Sequence, residues 1–482
     1  MSGAHAAAGM NEPRRTDSRP SWGRGVEKLP PLSAKPLPGT ALCMTLLGSA
    51  LVLGGGGTSN PQTEMILQVF TALTVMPLAV SEDWQRGLGR IPASAWLLGA
   101  LVLLVPVLQL IPLPPSLWQS LPGREVEIQS LALVQADRSW MPITMAPART
   151  FASLLAMICP VLMLLQVSRL SLRGRSWLCS AIVASGSVSL ALGVLQLSRT
   201  GGLEWSLYSQ FSEGFLVGFQ ANRNAQADIL LIAMLALGVL VTARLGDARN
   251  HALTWAGFWL GQLALAVGLF MTGSRTGIGL VLVAFLFLLI MLWPVLRRRK
   301  AVLLGLAGFT ATMAIAAGLL MQLQSVQKVV GRFSLTKEAR WDLWADTWHA
   351  IGQVWPFGSG IGTIVPMLEA AERLEVVDPT RPVRSHNDWL EWTLEAGLPG
   401  LVVLGLIVSL LGYLIVRAIM DASRRDVAPG RHAQITFACG LLTIEALHAI
   451  VDYPIRSMSL AMLAAVAAAF LLDPAAVQRK RQ

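Results

Sequence analysis

The feature that most constrains this chain is the recurrence of apolar runs near twenty residues long, separated by short loops carrying arginine. A bilayer core takes about 20 residues of helix to cross. Backbone groups inside it must be bonded within the structure, which leaves helices or a closed barrel. The runs lack the alternating pattern of a membrane barrel. Twelve spans are expected, at 38–55, 64–80, 94–112, 150–167, 177–198, 225–243, 252–272, 277–296, 301–321, 399–417, 433–451 and 456–472. The fold class that follows is an all-α polytopic membrane protein of about 12 transmembrane helices. Only 14% of the 482 residues are charged, against about 25% in soluble domains, which excludes a soluble enzyme. Cys43, Cys159, Cys179 and Cys439 fall in or beside apolar runs, with no metal-ligand spacing.

Charge then orients the spans. Alternate loops carry Arg86 and Arg90; Arg169, Arg173 and Arg175; Arg244 and Arg249; "RRRK" at 297–300; and Arg417, Arg424, Arg425 and Arg431. With the two termini, that side holds 24 Lys and Arg against 9 Asp and Glu. The remaining residues hold 14 against 19. Short basic loops stay cytoplasmic, so both termini are expected in the cytoplasm. The net charge of +10 is then a topology signal, and nucleic-acid binding loses its main support. Residues 1–36, rich in Pro, Arg, Ser and Gly, read as a disordered basic cytoplasmic tail. An uncleaved first helix is preferred there to a signal peptide, because "GGGGTSNPQTE" offers no convincing small-residue cleavage site. Residues 37–475 form the expected membrane domain, and 476–482 a second basic tail.

The opposite face receives the long loops 113–149, 199–224 and 322–398. A loop as long as the last, beside short connections, is usually functional. Within it "EARWDLWADTWHAIGQVW" spaces Trp341, Trp344 and Trp348 along one helix face. That helix either lies at the membrane interface or packs on the other loops. "RSHNDWLEWTLEAGLPG" (384–400) reads as a helix start, with Asn387 or Asp388 able to cap it. Asp388, Glu391 and Glu395 share one side and suit the helix dipole, and "GLPG" bends or restarts the helix. His386 has no part in capping.

Three arginines share this face. Arg223 stands in "FQANRNAQAD", Arg275 in "MTGSRTGIG", and Arg340 opens the Trp-bearing helix. Each either snorkels to lipid headgroups or offers its planar fork to a phosphate. Lipid diphosphate is a leaving group whose charge grows as its bond to a sugar breaks, and fixed cations stabilise such charge. A histidine can take the proton of an attacking hydroxyl. His386 and Asp388 are too few ligands for a catalytic metal, so no metal or other cofactor is expected.

"NRN" (222–224), "GSRTG" (273–277), "RWDLWADTW" (340–348), "PFGSGIG" (356–362), "SHNDWLEWTLEAGLPG" (385–400) and "HAIVDYPIR" (448–456) together resemble the O-antigen ligase and O-antigen polymerase-like membrane glycosyltransferases. The resemblance covers about residues 150–460. It implies a multi-helix fold in the bacterial inner membrane with a large periplasmic loop, a metal-independent reaction, and a glycan donor on undecaprenyl diphosphate. The acceptor it implies is a lipid A-core sugar, as in lipopolysaccharide, or another glycan unit. By the same resemblance Arg223 and Arg275 bind the diphosphate, Arg340 is a third contact, and His386 is the base. Asp388 and Glu391 are possible supporting groups. Asp452 either orients a partner or caps a helix. A ligase is preferred, because "SRTG" and "HND" match the ligase-related domain; a polysaccharide polymerase is the alternative. A lipid-linked glycan transporter fits less well. No half-to-half repeat is visible, and only Asp228 and Glu445 are candidates for deep membrane charges.

Overall fold

The structure is a computed structural model and describes residues 35–57, 61–80, 91–198, 205–245, 251–296, 310, 339–377, 383–423 and 429–474. The expected span 301–321 lies outside these residues except for Thr310, as do the C-terminal tail and all but the last two residues of the N-terminal one. Helices α1 (Pro38–Leu53), α2 (Pro61–Val80) and α3 (Ala93–Gln109) lead to a small outer segment. That segment holds α4 (Pro115–Trp118), α5 (Glu125–Leu133) and a two-stranded antiparallel ladder, in which Pro112 pairs with Pro142 and Leu113 with Met141. Next come α6 (Pro147–Ser168), α7 (Leu172–Ser198), α8 (Arg223–Leu245), α9 (His251–Met271) and α10 (Arg275–Leu296). Helices α11 (Ala339–Val354) and α12 (Ile364–Ala371) precede α13 (Asp388–Ala422), α14 (Pro429–His448), a short 3-10 turn (Pro454–Arg456) and α15 (Met458–Leu471).

Eleven of the twelve expected spans therefore coincide with helices. Among the described residues, six helices (α6, α7, α8, α9, α10 and α13) are long and apolar enough to cross a membrane. Three shorter apolar helices, α1, α3 and α15, accompany them. The chain is a predominantly helical, multi-span membrane protein.

Helix α8 is the axis of the bundle, buried without a break from Asn224 to Ala236 and flanked by α7, α9, α10 and α14. From Ile229 to Val241 it is apolar on every side, the pattern of a helix surrounded by others. In lipid, where tails are as apolar as leucine, small residues decide how closely helices approach. Gly277 of α10 illustrates this: a Cβ there would come within 2.5 Å of the Ala227 Cβ on α8. Helix α15, rich in alanine, packs against α1, α6 and α14.

The expected bend at "GLPG" is present. Helix α13 is two helices merged across Gly397, whose φ of 58° is left-handed and whose missing Cβ leaves room for the backbone of Pro356 and Phe357. Only glycine adopts that conformation at no cost. The kink separates the polar stretch before Gly397 from the apolar part that follows.

Helix ends gather at two opposite faces. At one, Gly54 O accepts from Ser459 N (3.1 Å), Gly55 O accepts from Ala221 N (3.0 Å), and Ala449 O accepts from Asp388 N (2.9 Å). At the other, Arg175 donates to Phe470 O and Leu472 O, and Arg431 to Phe470 O and Leu471 O, closing the C-terminus of α15. Cations suit that helix end.

Candidate functional site

The first face holds an open cleft of about 390 Å³. Five stretches distant in sequence build it: Gly56 after α1, the start of α8 with the loop before it, the start of α11, the turn before α13, and Tyr453 after α14. Arg223, Arg340 and His386 all line it, together with Asn222, Tyr453 and Gly56.

His386 is held in an unusual backbone state, with a φ of 52°. A non-glycine residue there is uncommon and persists only when its surroundings hold it. Two anchors do so. Asp388 N donates to Ala449 O and Asp452 O, stapling the chain to the turn after α14. Asn387 caps α13, its side chain accepting from Trp389 N (3.0 Å) and Leu390 N (3.1 Å). The His386 ring then bonds Asp452 Oδ1 through Nδ1 (2.9 Å) and lies 5.1 Å from the Tyr453 ring. Its side chain remains 30% exposed, whereas that of Asp452 is 4% exposed.

Asp452 joins two motifs, because its second oxygen accepts from Asn222 Nδ2 (3.1 Å). Asn222 also caps α8 by accepting from Asn224 N (2.8 Å). Burial pushes the Asp452 carboxyl up, but the hydrogen bond and charge of His386 outweigh it and hold the group down at about 2. Asp452 is thus a carboxylate at any working pH. Paired with Nδ1, it directs Nε2 away from itself as the nitrogen able to accept a proton.

Arg223 lies with its guanidinium 4.5 Å from the centre of the Phe215 ring. A guanidinium on an aromatic face is fixed in direction while its N–H groups stay available along the edge. Arg275 is placed differently. It is the first residue of α10, half-buried beside α8, and is not among the residues lining the cleft. The structure thus brings Arg223, Arg340 and His386 together and leaves Arg275 at a neighbouring helix start.

Asp388 and Glu391 turn away from the cleft to two arginines. Arg384 Nη1 contacts Glu391 Oε1 at 2.5 Å. Arg456 contacts Asp388 (3.2 Å), Glu391 (3.4 Å) and Glu395 (2.6 Å). Glu395 also accepts from Gly362 N and Ile364 N at the start of α12. This buried network ties "RSHND", "PFGSGIG" and "YPIR" into one unit beneath His386. Burial pushes the Arg384 guanidinium down, yet Glu391 and Glu395 together more than offset it; Arg456 is likewise held charged by its three carboxylates. The sequence reading gave the three acids to the helix dipole, with Asp388 and Glu391 as possible supporting groups, and missed Arg384, Arg456, Asn222 and Tyr453. All four lie inside or beside the quoted motifs, which was the available signal.

Asp228, expected as a deep charge, bonds His448 Nδ1 at 2.7 Å with both side chains 1% exposed. Among the described residues, no three His, Cys, Asp or Glu side chains are grouped as metal ligands. The Trp face of α11 is only partly uniform: Trp341 and Trp348 are exposed, whereas Trp344 is half-buried with its ring 4.9 Å from that of Trp341.

No curated protein matches this chain. Residues 260–405 match the family model described as O-antigen ligase, and over that stretch, which holds Arg275, Arg340 and His386, the chain is O-antigen ligase-like.

Proposed function

We propose that the protein transfers a glycan from undecaprenyl diphosphate to an acceptor hydroxyl at the periplasmic face of the inner membrane, as a ligase. The observation carrying this reading is one cleft that joins a carboxylate-paired histidine, His386, to two arginines, Arg223 and Arg340. In the reaction, His386 Nε2 takes the hydroxyl proton while Asp452 stabilises the imidazolium that forms. The hydroxyl oxygen bonds the anomeric carbon as the bond from that carbon to the diphosphate oxygen breaks, and the diphosphate leaves with the electron pair. Arg223 and Arg340 neutralise the growing charge, where fixed cations act most strongly. Arg275, at the adjacent helix start, meets the diphosphate from the membrane side.

The twelve-span arrangement belongs to the same proposal. Both termini face the cytoplasm, and 322–398 faces the periplasm. The family match supports a donor and an acceptor that are both glycans. A polymerase differs from a ligase only in the acceptor. Deleting the gene separates them: a ligase leaves full-length glycan chains on the carrier lipid, a polymerase leaves single repeat units. No accumulation of either kind overturns the reading. Arginines supply the charge a divalent ion would otherwise carry, so purified protein should keep its rate in EDTA. Inhibition reversed by Mg²⁺ or Mn²⁺ would place a metal in the site.

A further inference from the structure

One wall of the cleft is a loop, 205–222, that is pinned at many points. Tyr208 Oη donates to Leu53 O (3.0 Å) and accepts from Gly55 N (2.8 Å). The Gln196 amide bonds both Gly218 N and Gly218 O (3.0 Å each). Leu216 N donates to Met271 O (3.2 Å), and Ser212 N donates to Ala221 O (2.9 Å). Such a loop presents its tip in a fixed shape, the preorganisation that lowers the entropic cost of binding.

The tip carries Gln210, Phe211 and Glu213, all lining the cleft, and turns back at Gly214 (φ 76°). Among the described residues that line the cleft, Glu213 is the sole acid, facing a space whose described cations are Arg223 and Arg340. A carboxylate repels a diphosphate, so its place in the wall marks a part of the cleft meant for an uncharged group. Its chemistry indicates which. A carboxylate only accepts hydrogen bonds, and an amide both donates and accepts. An aromatic face packs against an apolar one. A sugar ring offers hydroxyl donors around its edge and a C–H face.

We propose that the tip of this loop is a sugar subsite. Glu213 accepts hydrogen bonds from ring hydroxyls, Gln210 bonds a neighbouring hydroxyl, and Phe211 packs under the C–H face. This rests on the glycosyl-transfer reading. The sugar comes from the donor, next to its diphosphate, or from the acceptor, and the test separates the two.

The test uses the full chain in lipid nanodiscs, with lipid-linked glycan and acceptor glycolipid extracted from cells lacking the gene. Glu213 is exposed, so Glu213→Gln perturbs no packing. It should raise one KM about tenfold, the loss expected for one charge-assisted hydrogen bond, with kcat changed less than about twofold. A raised donor KM assigns the donor's sugar, and a raised acceptor KM the acceptor's. Phe211→Leu should raise the same KM. Affinity for undecaprenyl diphosphate without glycan should stay unchanged in both variants. Two unchanged KM values overturn the subsite, as does tighter binding of bare undecaprenyl diphosphate by Glu213→Gln, which would put the carboxylate against the anion. The underlying reading fails separately, if Arg223→Ala binds bare undecaprenyl diphosphate as the wild type does.

Discussion

At the scale of single residues, the proposed transfer depends on His386 and the groups that orient it. His386→Ala should lower kcat by roughly 10²–10⁴, the span for loss of a general base, with donor affinity kept. Asp452→Asn tests the pairing through charge. The amide keeps a polar partner beside Nδ1 but gives up the negative charge that stabilises the imidazolium as it forms. The variant should therefore lose at least about tenfold in kcat with donor KM kept. An unchanged kcat would show that Asp452 serves only as a structural tie. Asp452 also has a stability signature. Its folded carboxyl, held at about 2, lies below the unfolded value of about 3.9. Its contribution is complete above about pH 4 and disappears as pH falls toward about 2. For Arg223, the Lys variant should recover only part of the rate lost in the Ala variant, because an ammonium keeps the charge and loses the two-pronged geometry. Full recovery in transfer assays would argue for a generic positive surface.

At the scale of elements, the start of α13 is held by charges largely withdrawn from water. Asp388, Glu391 and Glu395 are buried, and Arg456 contacts all three. Removing one member of a buried ionic group costs about 3–5 kcal/mol, mostly by stranding its partners. Arg456→Ala should thus lower the thermal midpoint of the purified protein far more than an exposed arginine does. Because the network underlies the turn bearing His386, the rate should fall with it. A stable, fully active Arg456→Ala protein would mean that the turn is held by Asn387 and the backbone bonds of Asp388 alone.

At the scale of the whole molecule, the two faces of the bundle have distinct tasks. The cleft lies where α8, α11 and α13 begin, and Arg175 and Arg431 close α15 at the opposite end. Single cysteines at 300 and 425 should react with membrane-impermeant thiol reagents only after the membrane is opened. A cysteine at 386 should react in intact spheroplasts. The reverse pattern at 386 would end the periplasmic-transfer proposal.

The sequence by itself determined what depends on near neighbours. Apolar period and length specified the helices. "HND" specified a cap at Asn387 or Asp388 and "GLPG" a bend, because these are settled within a few residues along the chain; the structure uses Asn387 and Gly397. Short motifs also pointed to Arg223, Arg340 and His386. Only the tertiary structure decided who meets whom. His386 reaches Asp452 across 66 positions, Asp452 reaches Asn222 across 230, and Arg456 reaches Glu395 across 61. It also placed Arg275 at the start of α10, outside the residues that line the cleft, and gave Asp388 and Glu391 the partners Arg384 and Arg456. The reason is physical. A side chain's partner depends on how helices pack around α8, and packing is fixed by the fit of many surfaces at once. No local pattern around His386 encodes that its partner lies in the turn after α14.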